Sequence, residues 1–144
     1  LADALSWARE HYKASAMVDL ATLTGACGVA LGESCAGLWS NHGEFLKTVQ
    51  SCATHAGEKT WHMPLGPEYS TQIKSSVAQI KNSAGRLGGA CSAAAFLEVF
   101  AGETKWAHLD IAYTARQTAD KDGLARGATG FGVRTLVALA ESRG

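Results

Sequence analysis

Apolar residues recur over the first eleven positions at Leu1, Ala4, Leu5 and Ala8, the i, i+3, i+4, i+7 spacing of one helix face, so a helix ending near His11 is predicted. Met17-Val18-Asp19-Leu20-Ala21 changes the period. A short, mostly apolar run between small polar residues is what a strand covered on both faces requires. After Thr22-Leu23-Thr24-Gly25, a Gly/Ala-rich stretch to Gly32 predicts a short helix close against a sheet, and Cys35 to Ser40 a second strand. Phe45, Val49, Cys52, Ala53 and Ala56 form the next helical stripe. Asn41-His42-Gly43-Glu44 precedes it with the spacing of an Asn41 cap answered by Glu44, and Gly57 supplies the stop.

Pro64 and Pro67 break the following pattern, so Trp61 to Tyr69 is expected as an extended connection. A turn or two of helix is expected over Tyr69 to Ser76, and a strand over Val77 to Lys81. Gly85-Arg86-Leu87-Gly88-Gly89 reads as a loop, from which a helix leaves with Ala90, Ala93, Ala94, Leu97 and Phe100 or Ala101 on one face. Trp106 to Ala112 reads as a strand. A Gly-rich loop from Gly123 to Gly132 leads to a last helix with Val133, Leu136, Val137 and Ala140 expected on its inner face. Helices alternating with strands favour an α/β fold built as a three-layer α/β/α sandwich.

Composition narrows the function classes. The chain has 144 residues, 47% of them hydrophobic, with 16 Gly and 2 Pro, the make-up of a compact domain rather than a disordered segment. Thirteen Lys and Arg balance thirteen Asp and Glu without any basic block, which argues against a nucleic-acid or anionic-membrane footprint. Apolar runs such as Ala93 to Leu97 fall far short of the roughly 18 to 20 residues that cross a bilayer, so no membrane span is expected. Cys27, Cys35, Cys52 and Cys91 sit among small residues with no C-x-x-C spacing and are expected as buried free thiols of a reducing compartment. No linker or repeat divides the chain. It opens at Leu1, without Met or a secretory leader, so residues 1–144 are expected to be a piece cut from a larger domain.

The local chemistry is sparse. His11, His42, His55, His62 and His108 include no pair four residues apart, so local spacing assembles no metal site. His62 and His108 read as structural, the other three as exposed at helix ends. Asp110 at the end of a strand reads either as a loop anchor or as a catalytic carboxylate, because open α/β sheets bind ligands beyond the carboxyl ends of their strands. Gly85 to Gly89 lacks the Lys-Ser/Thr of a phosphate loop, Gly25 to Gly32 lacks the dinucleotide spacing, and no serine sits in a G-x-S-x-G elbow. Arg86 and Arg134 are expected to anchor loops or face solvent. From the residues alone, the chain is an α/β domain with a site at strand ends.

Several segments together resemble one family, the leucyl (cytosol) aminopeptidases. Leu1-Ala2-Asp3-Ala4-Leu5 resembles the helix that follows that family's N-T-D-A-E-G-R-L motif, and Val18 to Ala26 resembles its I/V-D-L/I-A-T-L-T-G-A strand and turn. Gly88 to Leu97 is similar to its G-G-A-x-T-A-A-x-F-L helix start. Trp106 to Ala112 and Gly127 to Arg134 resemble its two C-terminal motifs. The resemblance runs over essentially the whole chain and implies the C-terminal part of the catalytic domain, an α/β/α sandwich on a mixed sheet.

The same resemblance implies an enzyme that hydrolyses N-terminal residues from peptides with water activated by two divalent ions, Zn²⁺ or Mn²⁺. It implies a cytoplasmic homohexamer, and a bound bicarbonate is a further expectation. The family's metal ligands lie in segments upstream of Leu1. No catalytic residue and no metal ligand is therefore expected here, and the isolated 144-residue chain is expected to be inactive and, with open sheet edges, to aggregate or remain partly unfolded. What the resemblance places in this chain is one wall of the substrate site. Thr22, Leu23 and Gly25 match the turn that holds the substrate's peptide unit, with bicarbonate beside Leu23, and Ala112 and Ala115 match the pocket for the N-terminal side chain. Tyr113 stands where the family usually has Gly and is the candidate for altered specificity. Ser92 for Thr and Gln79 for Asp are milder departures. A truncated relative acting by assembly or binding, without catalysis, is the alternative reading.

Overall fold

The computed structural model describes residues 1–120, 123 and 125–142, and it forms a mixed four-stranded sheet between two layers of helices. In chain order the elements are α1 (Ala2–Tyr12), β1 (Ala16–Ala21), α2 (Gly25–Leu31), β2 (Ala36–Ser40), α3 (Gly43–His55) and β3 (Thr60–His62). They continue with α4 (Pro67–Gln72), α5 (Gly89–Ala101), β4 (Lys105–Asp110), β5 (Arg116–Gln117), β6 (Gly127–Ala128) and α6 (Val133–Glu141). The sheet order is β1-β4-β2-β3, with β1 parallel to β4, β2 antiparallel to β4, and β2 parallel to β3.

Period-two alternation in the strands explains the three layers. Met17, Trp39 and Trp106 point to one side, where they pack with Leu5 of α1, Cys27 of α2 and Ala90, Cys91, Ala94, Leu97 and Ala101 of α5. Leu38, Ala107 and Leu109 point to the other side and pack with Phe45, Val49 and Cys52 of α3 and Leu139 of α6. The alanines of α5 leave room for the Trp39 and Trp106 rings between helix and sheet. Three of the four thiols are buried and free; Cys35, also free, is half-buried.

Four expectations are corrected. The cap of α3 is His42, whose Nδ1 accepts from the Phe45 N–H at 3.2 Å, while Glu44 pairs with Lys47 at 2.8 Å. Asn41 is drawn away because its amide donates to the Gly102 and Thr104 carbonyls and its oxygen accepts from the Trp106 N–H, pinning the turn into β4. The stretch from Trp61 to Tyr69 is not uniformly extended: β3 includes Trp61 and His62, and Pro67 begins α4, where a missing N–H costs nothing. Val77 to Lys81 forms no strand, only a single bridge from Ile80 to Lys74. Finally, Val133, Leu136, Val137 and Ala140 are the outer face of α6; Thr135 and Leu139 face inward.

Thr135 faces inward because Glu58, buried just beyond α3, takes the N–H groups of Gly132 (2.9 Å) and Thr135 (3.0 Å) and the Thr135 hydroxyl. A carboxylate from another element thus caps a helix whose own cap residue, Gly132, has no side chain to offer. Gly132 also has a positive φ of 92°, and the Leu20 side chain occupies the space a Cβ would need. Of the loop expected from Gly123 to Gly132, Leu124 lies outside the described residues; Gly127–Ala128 pairs with Arg116–Gln117 as a two-stranded ribbon.

Candidate functional site

β1 and β4 run parallel and end together, with Ala21 opposite Asp110. Two loops therefore leave the sheet side by side, residues 22–24 into α2 and residues 111–115 toward β5. Asp110 joins them. Its Oδ1 accepts from the N–H groups of Leu23 and Ala112, both at 3.1 Å, and its Oδ2 from the Thr24 N–H (3.1 Å) and hydroxyl (2.7 Å). The Thr24 hydroxyl in turn accepts from the Cys27 N–H at 3.0 Å and caps α2. With the residue 1% exposed and its carboxylate accepting from Leu23, Thr24 and Ala112, Asp110 anchors the two loops to each other. Cys27, beneath it, has its thiol pKa pushed up to about 11, first by burial and then by the Asp110 carboxylate.

Of the substrate residues expected from sequence, Leu23 and Ala112 meet through Asp110. Thr22 is exposed at the end of β1, and Ala115 is held by its own N–H to the Ile111 carbonyl and by the Thr129 N–H to its carbonyl. Tyr113 turns back over α2. Its ring occupies the space in front of Gly28, where an added Cβ would lie 2.0 Å from Cδ2, and its hydroxyl lies 4.0 Å from the Cβ position of Gly25. A groove of about 890 Å³ lies on the other side of the 22–25 turn. It includes Leu23 and Gly25 and runs along Met63, Arg86, Gly88 and Phe96, but not past Thr22, Ala112, Tyr113 or Ala115.

Among the histidines, His108 is buried and structural: its Nδ1 lies 2.6 Å from Asp19, which also accepts the Trp106 indole N–H at 2.6 Å. His62 differs from expectation, being exposed on the edge strand β3. Arg86 is exposed, and Arg134 reaches Glu58 only at 3.7 Å with most of its side chain in solvent.

The metal expectation is tested by the donor set. Among the described residues no group of three or more His, Cys, Asp or Glu is placed to hold an ion. Asp19, Glu58 and Asp110, the buried acids, each already accept two or more protein donors. These residues do not fit a metal centre. A bicarbonate at Leu23 would have to find donors elsewhere, because the Leu23 N–H is taken by Asp110.

The catalytic domain of the cytosol aminopeptidase family matches residues 1–137. The chain belongs to that family. It is 51% identical over 140 residues to a probable cytosol aminopeptidase of Chloroherpeton thalassium, covering 96% of this chain and 27% of the relative. A probable cytosol aminopeptidase of Brucella melitensis is 47% identical over 143 residues, 99% of this chain and 30% of the relative. A mutant of tomato leucine aminopeptidase has the same fold, with a TM-score of 0.88 and 40% identity over 96% of this chain and 26% of that one. The family member described here therefore spans a little over a quarter of these relatives' length.

Sequence reading left the role of Asp110 open, and two positions went unnoticed. Glu58 carries no local signal, since its partners lie 74 and 77 residues away. Gly28 gains its meaning only from the Tyr113 ring.

Proposed function

We propose that the natural protein carrying this chain is a metal-dependent aminopeptidase of leucyl type, and that these residues supply one wall of its substrate site. The observation that carries the reading is the Asp110 carboxylate, which locks the 22–24 and 111–115 loops into one rigid surface at the ends of two parallel strands. The family membership and the relatives' names support it.

On this reading the backbone at Leu23 and Gly25 orients the peptide unit of the substrate. With the Leu23 N–H held by Asp110, the part of Leu23 that faces substrate is its carbonyl, suited to accept a peptide N–H. Thr22 stands with Leu23 and Gly25 on the turn that holds the peptide unit, while Ala112 and Ala115 line the pocket for the N-terminal side chain, where burial of a leucine-sized group contributes about 1.5 to 3 kcal/mol. Small residues on two anchored loops make a pocket without floppy walls. The two divalent ions, Zn²⁺ or Mn²⁺, are held by residues other than those described. The cytoplasmic location and the homohexamer are part of the same proposal, supported by the family resemblance. No helix among the described residues is long and apolar enough to cross a membrane.

The test is hydrolysis of short peptides by the purified natural protein. Release of the N-terminal residue, abolished by a chelator and restored by Zn²⁺ or Mn²⁺, is expected. A folded protein that hydrolyses nothing, or cleaves only internally, contradicts the proposal.

A further inference from the structure

We infer that Arg86 is a specificity-determining residue that recognises a carboxylate on the leaving portion of the substrate, favouring short peptides whose C-terminus is free and ionised. The inference rests on the aminopeptidase reading and deepens it on the far side of the scissile bond.

The 22–25 turn separates two surfaces. On one side stands the 111–115 loop; on the other lies the groove of about 890 Å³, which Leu23 and Gly25 share with Arg86. A peptide held by its first peptide unit at the turn, with its N-terminal side chain toward Ala112, sends the rest of its chain into that groove. The body of the groove is apolar, with Met63, Phe96 and Leu97 along it. Its volume falls within the roughly 300 to 1,000 Å³ that drug-sized ligands fill, so a leaving portion of about one or two residues is accommodated.

Its charge has a single sign. Arg86 is the one charged side chain among the described residues that line the groove, and it forms no ion pair with a described acid. Glu68, on α4 beside the Tyr69 ring that packs on Gly88, folds its carboxylate back over Gly66 instead, with one oxygen 2.7 Å from where a Gly66 Cβ would stand. Asn82 and Ser83, on the same stretch of wall as Arg86, add polar groups but no negative charge. A guanidinium keeps its charge at physiological pH and presents paired N–H donors that match a carboxylate. The complement of such a groove is an apolar body carrying one anionic group. A leaving portion with a free C-terminus is that body, its side chains on the apolar walls and its carboxylate on Arg86. Because Arg86 is exposed, the pair is screened and the expected preference is modest, about fivefold.

The experiment uses the full natural protein and measures kcat/KM for leucyl-alanine, leucyl-alanyl-alanine and leucyl-alanyl-alanyl-alanine, each as the free acid and as the C-terminal amide. At one length or more the parent is expected to favour the acid by about fivefold, and the preference to shrink as NaCl is raised. Arg86→Gln is expected to bring the acid-to-amide ratio below about twofold at that length, and Arg86→Lys, which keeps the charge without the fork, to give an intermediate ratio. Comparing the ratio between parent and variant cancels any difference in reactivity between acid and amide themselves. No preference at any length, or a preference that survives Arg86→Gln in the folded protein, overturns the inference and leaves the aminopeptidase reading intact. A parent preference that does not fall with salt overturns it too, which decides the matter if Arg86→Gln fails to fold. Absence of hydrolysis of every peptide by the parent protein overturns the aminopeptidase reading instead.

Discussion

Asp110 holds partners 87 residues and 2 residues away with the same oxygen, and this bifurcated acceptance is what makes two loops one surface. The sequence placed an acid at a strand end; the choice between anchor and catalyst needed the positions of Leu23 and Thr24 in space. Gly25 and Ala112 were singled out only because they match positions of a family motif, whereas nothing marked Gly28, whose packing against a ring 85 positions later in the chain shows only in the fold. The thiols give a prediction at this scale. Burial raises the pKa of Cys27 to about 11 and also raises those of Cys35 and Cys91, but only Cys35 is half-buried. In the folded protein at pH 8, iodoacetamide labelling followed by mass spectrometry is expected to modify Cys35 first and leave Cys27 unmodified. Equal labelling of Cys27 and Cys35 would contradict the packing described for α2.

At the scale of elements, helical spacing marked α1, α3 and α5 and short apolar runs marked β1, β2 and β4, while the Gly/Ala-rich α2, which buries only Cys27, offered only weak periodicity. Periodicity failed for α6. Both sides of that helix carry apolar residues, and the buried side is chosen by Glu58 reaching Thr135 and Gly132 rather than by hydrophobicity. Glu58→Gln is therefore expected to destabilise the protein by about 2 to 4 kcal/mol, measured by denaturant unfolding, because it replaces a charged acceptor of buried helix amides. A loss below about 0.5 kcal/mol would show that α6 is held by Leu139 alone. Glu98 on α5 is disfavoured in its charged form by burial: desolvation raises its pKa above the ordinary 4.5. The folded state then holds its proton more tightly than the unfolded one, so its contribution is complete below the ordinary value and is lost as pH rises through the raised one. Glu98→Gln is expected to raise Tm at pH 7, with the gain shrinking toward pH 4; a gain independent of pH would contradict the assignment.

For the whole molecule, the sandwich carries apolar surface on its outer faces, including Trp7 and Trp61 at 56% and 64% exposed and Val133 and Val137 on α6. Surface of that kind on a chain spanning 27% of its relative leads to the expectation that the purified 144-residue chain self-associates, which light scattering would report as a mass above 15.0 kDa. We propose that these residues shape the substrate wall around Asp110 without ligating the metal ions. The most direct test is Asp110→Asn in the natural protein, with metal content per subunit and leucine-peptide kinetics measured on the same folded sample. Unchanged metal content and a fall in kcat/KM of about tenfold or more are expected, as the loops lose a shared acceptor worth about 1.4 kcal/mol or more in the transition state. Loss of a bound metal ion from the folded variant would make Asp110 a ligand and contradict the proposal.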